Sequence, residues 1–179
     1  MEKKIFGKEK SDLSDPQKAT LRIARGILST EGNFALIDDK GSLIVDFRFE
    51  DIEDFQDERA LVKLYLSSPI FGFVNKNGNV SRVFQHYTNI SSFHEGLALV
   101  ELNNKPKFGF IDKYYNVTIP IIYEGARGFK NGLAAVCKYD SGIYGKWGFI
   151  DKAGKQLIPF TYDEVGDFYD GLAYVKQET

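Results

Sequence analysis

Side chains with chemical capacity are few in this sequence and lie far apart. Its two histidines are His86 and His94, and its single cysteine is Cys137. A nucleophile needs a base held beside it, and a metal centre needs three or four converging ligands. Cys137 follows Val136 at the end of an apolar run, with no histidine at a matching place, so it is assigned to sheet packing. The two histidines, eight residues apart, are assigned to structural roles at or near the surface. No Gly-rich phosphate loop, HExxH helix, GxSxG elbow or cysteine-pair metal motif occurs. The expectation is a chain with no catalytic residue, no cofactor and no metal.

Two further groups invite a functional reading. Asp38, Asn75, Asp112 and Asp151 recur along the chain like a row of ligands. In three cases a glycine follows three positions later (Gly41, Gly78, Gly154), which is the chemistry of a type I turn closed by a left-handed glycine. The third case has Tyr115 there, with Asn116 the expected carrier of the positive φ. The other group is a run of acids: Asp46, Glu50, Asp51, Glu53, Asp54, Asp57 and Glu58, against the single Arg48. A negative patch steers basic partners toward it. The candidate partner-binding residues are therefore Glu50, Asp51, Glu53, Asp54, Asp57 and Glu58. An EF-hand is excluded, because the sixth-position glycine and the regular oxygen spacing are missing.

Composition narrows the classes. Among 179 residues, 23 Lys and Arg stand against 25 Asp and Glu, a formal charge of −2. Without an excess of Lys and Arg, a general nucleic-acid binder is not expected. Apolar residues at 43% suffice for a core, and aromatics at 15% make it ring-rich. No apolar run has the length of a signal peptide or a membrane span. The expected setting is cytoplasmic, with no membrane partner.

The elements that position these residues repeat. Units open at Phe34, Phe71, Phe108 and Trp147, and their expected bounds are about 33–69, 70–106, 107–145 and 146–179. In each, apolar residues alternate with the period of a strand (Trp147, Phe149, Asp151), flanked by apolar residues on the other face. The small residue after the opening ring (Ala35, Gly72, Gly109, Gly148) indicates a close approach of another backbone or ring. After the turn comes a short second strand, closed in two units by Pro120 and Pro159. An irregular link with apolar anchors follows, then a third strand of the type Leu172-Ala173-Tyr174-Val175. Glycine precedes that strand in three units, with Glu58 the exception. Three strands per unit give an all-β tandem array of meanders, an open or curved stack in which neighbours bury each other's faces. Residues 1–32 serve as a cap. Asp15 to Gly26 carries the signature of a helix, and Leu21 to Ala24 equally fits the third strand of a half-unit.

Lys146-Trp147-Gly148-Phe149-Ile150-Asp151, with Gly154, Ile158-Pro159, Tyr162-Asp163 and Gly171-Leu172-Ala173, resembles the WG (KWG) repeat of bacterial proteins. The resemblance spans about residues 33–176 and is strongest in the last two units. It implies a β-rich tandem module without catalytic residues; its structural anchors here are Phe34, Phe71, Phe108, Trp147, Gly72, Gly109 and Gly148. The function expected is a protein–protein interaction module that binds its partner through loops or through the acidic patch, the latter suiting a basic partner. An inhibitor or immunity-type protein that blocks a basic enzyme cleft is the alternative, and a glycan or cell-wall binder using exposed rings is another.

Overall fold

A computed structural model describes residues 34–64, 70–81, 84–139 and 145–178. The expected cap at 1–32, with its helix or half-unit, lies outside the described residues. Among the described residues fourteen strands follow one another, and every pairing between them is antiparallel. They are β1 (Phe34–Ile37), β2 (Leu43–Ile52), β3 (Arg59–Leu64), β4 (Ile70–Asn75), β5 (Tyr87–Ile90), β6 (Leu97–Leu102) and β7 (Phe108–Asp112). Then come β8 (Val117–Tyr123), β9 (Gly125–Ala126), β10 (Leu133–Tyr139), β11 (Gly145–Asp151), β12 (Gln156–Tyr162), β13 (Glu164–Val165) and β14 (Val175–Lys176). The described residues contain no helix. The chain is an all-β tandem array.

Its sheets do not coincide with its units. They run β1-β2-β3-β4, β5-β6-β7-β8, β9-β10-β11-β12 and β13-β14. Each of the two middle sheets takes the link and third strand of one unit, then the first and second strands of the next. The longest ladders therefore cross the unit boundaries: β3 with β4, β6 with β7 and β10 with β11. In the first unit, the second strand and the link merge into β2, which pairs with β1 over one half and β3 over the other.

Alternation on strands covered from both sides creates the layers. Leu61 and Phe73 of the first sheet gather with Phe84, Phe93, Val100 and Ile111. Phe110 and Ile119 of the second sheet gather with Phe129, Ala134, Val136 and Ile150. Ala135 and Phe149 of the third sheet meet Val165 beside β14. One aromatic contact recurs in this stack: Phe73–Phe93 at 4.7 Å, Phe110–Phe129 at 4.8 Å and Phe149–Phe168 at 4.9 Å. In the last three units the third residue of the motif is thus a fully buried ring, and the first unit has the half-buried Leu36 there. The opening ring is half-buried at Phe71, Phe108 and Trp147, and Phe34 is 43% exposed.

Three local expectations need correction. Pro120 and Pro159 do not end the second strand, because β8 and β12 continue to Tyr123 and Tyr162. Both are sheet edges, where a missing N–H leaves no ladder bond unmade. Asn116 does not supply the positive φ of the third turn; Tyr115 itself adopts +68°. Its ring stacks on Phe73 at 5.8 Å and meets Phe84 at 5.4 Å, and this packing holds the strained backbone. The third strand of the last unit is reduced to Val175–Lys176, since no following first strand lies beside it among the described residues.

The two-residue tip before each third strand has positive φ at both positions, the type I′ geometry. The first tip, Asp57-Glu58, holds φ of 45° and 67° without a glycine, whereas Gly96, Gly132 and Gly171 fill the second position elsewhere. Left-handed backbone costs an ordinary residue about 1–2 kcal/mol. Glu58→Gly should therefore raise stability by about 0.5–1 kcal/mol after the unfolded chain's gain in entropy is set against it. Urea unfolding of the variant checks this, and a drop in midpoint contradicts it.

Candidate functional site

The four tips lie along one edge of the stack, and side chains tie each to the next. The Asp57 carboxylate accepts the Gly96 N–H at 2.8 Å. Glu95 accepts the Gly132 N–H at 3.0 Å, and Asn131 donates its side-chain amide to the Phe168 carbonyl at 3.3 Å. Lys152 pairs with Glu95 at 3.0 Å and closes the same contact from the turn of the last unit. The first residue of each of the first three tips thus reaches one unit onward, a role that its place in the turn does not reveal. Next to the first tip, the Arg59 guanidinium lies 5.7 Å from the Phe93 ring and 5.4 Å from the Tyr115 ring. It donates to the Lys113 carbonyl and to the Tyr115 hydroxyl. Arg59 and Tyr115 thereby clamp the first, second and third units together, and sequence reasoning missed both.

The acidic link ends beside this clamp, and the fold uses half of its candidates. Glu50 pairs with Lys63 at 2.8 Å. It occupies the position of Glu124, which pairs with Lys107, and of Asp163, which pairs with Lys146. In the last two units the acid after the Tyr at the end of the second strand thus pairs with the Lys before the opening ring, whereas Glu50 finds its partner in Lys63 on β3. Glu53 accepts the Ser92 hydroxyl at 2.7 Å, and Asp57 serves the tip. Asp51 accepts the N–H of its neighbour Ile52, while Asp54 and Glu58 are exposed. Asp51, Asp54 and Glu58 are the candidates left without such a partner: Asp51 meets only its neighbour's N–H, and Asp54 and Glu58 face solvent.

The remaining residues have structural surroundings. Asp38, Asn75, Asp112 and Asp151 each accept two backbone N–H groups of their own turn through Oδ1. His86 packs on Tyr87 at 4.1 Å, and His94 flanks the second tip, paired with Leu97. Cys137 is buried, and burial, then the Glu124 charge, push its thiol pKa up, away from nucleophile chemistry. Trp147 lies against Gly125 with Arg127 over its ring at 5.9 Å. Gly109 and Gly148 face the bulged backbone of β8 and β12, and Gly72 is buried in β4. Among the described residues, no three His, Cys, Asp or Glu gather to hold a metal ion.

Among the described residues, four carboxylates sit below their ordinary pKa. The Ser42 N–H does this for Asp38, and the Glu178 N–H, then Lys146, for Asp163. At Glu95 and Asp112 burial acts upward and is outweighed, by Lys152 and the Gly132 N–H in one case, by the Asn116 and Tyr114 N–H groups in the other. A carboxyl that is more acidic folded than unfolded contributes stability above its unfolded pKa and loses it as pH falls through the folded one. The ordinary values are 3.8 for Asp and 4.5 for Glu. The unfolding midpoint should therefore hold steady down to about pH 5 and drop below about pH 4. A midpoint that rises on acidification would contradict these bonds.

No curated protein and no solved structure matches the chain. A family model described as WG containing repeat matches four times, at residues 34–65, 71–105, 108–140 and 147–178. Its four matches begin at the opening ring of each unit or at the aromatic that stands in for Trp, and together they cover most of the chain. The chain belongs to the WG repeat family.

Proposed function

We propose that this β-repeat module is a non-catalytic interaction protein whose exposed carboxylates at the first link receive a basic partner. The observation that carries the reading is the surplus of acid there. Once Glu50, Glu53 and Asp57 are taken by Lys63, Ser92 and Gly96, Asp51, Asp54 and Glu58 still face solvent within eight residues of chain. Exposed charges of one sign accelerate encounter with the opposite sign, and salt screens them over about 8 Å at physiological strength. The test is capture from the source cell by wild type and by the triple variant Asp51→Lys, Asp54→Lys, Glu58→Lys. A basic protein retained by wild type at low salt, released at high salt and missed by the variant supports the reading. Capture that ignores both salt and the three substitutions overturns it. The variant should fold, since exposed substitutions of this kind change stability by about 0.5 kcal/mol or less.

A further inference from the structure

Among the described residues, the first and last strands of the array supply complementary halves of one sheet. A complete middle sheet holds link, third, first and second strands, in that order. At the carboxy-terminal end, β13 and β14 supply a link and a third strand, with no first strand beside β14 among the described residues. At the other end, β1 and the first half of β2 supply a first and a second strand, and β1 pairs with β2 alone among the described residues. Both edges, unpaired among the described residues, have exposed apolar side chains on or beside them: Leu172 at 78% and Tyr174 at 60%, Phe34 at 43% and Ile37 at 65%.

We propose that the chain associates with a second copy of itself head to tail, β14 of one copy pairing antiparallel with β1 of the next. The junction already exists three times inside the chain, always in one register. Val62 faces Gly72, Val100 faces Gly109 and Val136 faces Gly148. Leu61 faces Phe73, Leu99 faces Phe110 and Ala135 faces Phe149. By the same register Val175 faces Ala35 of the next copy, and Tyr174 faces Leu36. The hydrogen-bonding direction agrees. The Tyr174 and Lys176 carbonyls accept from Gly166 and Asp163 on the β13 side, so Val175 between them turns its N–H and C=O to the open edge. An exposed apolar edge strand is a template for a further strand, and the strand that fits this template is the chain's own first. The contact uses different surfaces on its two partners, so it propagates beyond a dimer.

Cross-linking at the stated register tests it. Two variants, Ala35→Cys and Val175→Cys, are made in a Cys137→Ala background and oxidised separately and mixed. Directly opposed strand residues lie within disulfide reach, about 4.4–6.8 Å between Cα atoms. The mixture should yield a linked dimer several-fold above either variant alone; equal yields in all three samples, or none in the mixture, overturn the proposal. The double variant at low concentration should likewise form linked oligomers. A linked monomer would show closure within one chain and overturn the second copy as occupant. Wild-type sedimentation needs no substitution: mass should rise over about a hundredfold range of concentration, and Val175→Pro, which removes the outward N–H, should abolish the rise. Wild type that stays monomeric throughout overturns the proposal.

Discussion

Phe110→Ala should cost the chain about 3–5 kcal/mol, a third or more of the stability typical of a single domain. Phe110 is 0% exposed and sits in the layer that joins the second and third sheets, its ring edge-on to Phe129. Truncation removes buried area and leaves a cavity between two strands that cannot collapse without moving both sheets. With a urea slope of about 2 kcal/mol/M, the midpoint should fall by about 2 M. Trp147→Ala, at the half-buried opening ring, should cost roughly half as much despite removing the larger side chain. An equal or greater loss at Trp147 would reverse this ranking of the motif's two aromatic positions.

Gly109→Ala should be the next most damaging single change for its size. A Cβ there would stand 2.7 Å from the Ile121 Cα and 2.8 Å from the Ile119 carbonyl oxygen, both backbone atoms. The reason is a bulge: Phe108 faces Tyr123 and Phe110 faces Ile119, so three residues including Pro120 crowd against one glycine. Relief requires β8 to swing outward, at about 1–3 kcal/mol or more. Gly41→Ala is the comparison, since its φ is +78° and nothing lies within 4 Å of the new methyl. There the backbone strain alone should cost about 1 kcal/mol. If the two variants unfold at the same urea concentration, close approach is not what the motif's glycine serves.

Much of this was legible because it is periodic. The alternation in Trp147-Gly148-Phe149-Ile150 marks a strand covered on both faces, and the glycine after the ring announces the close approach that the bulge creates. The sheet boundaries were not legible. A period of 37–39 residues fixes the length of a unit but not its phase, and β10 pairing with β11 looks the same in sequence as any hairpin. Pro120 misled because proline's penalty depends on whether a strand is central or at an edge, which only the assembled sheet decides. Tyr115 misled in the same way: its left-handed backbone is held by Phe73, a ring 42 positions earlier. For the candidate site, the acidic run was visible and its internal use was not. Glu50 looks like Asp51 in sequence, and only the Lys63 ammonium beside it separates them.

Because every inner sheet is shared between two units, the repeat is the wrong unit for thinking about cooperativity. Melting the third unit alone would strip β6 of its neighbour β7 and β11 of its neighbour β10. Each unit's intrinsic stability is then small beside the coupling to the units before and after it, the regime in which a linear array behaves as one two-state system. Four repeats in the sequence thus become one melting transition in solution, and a lesion in any inner unit is felt along the whole length.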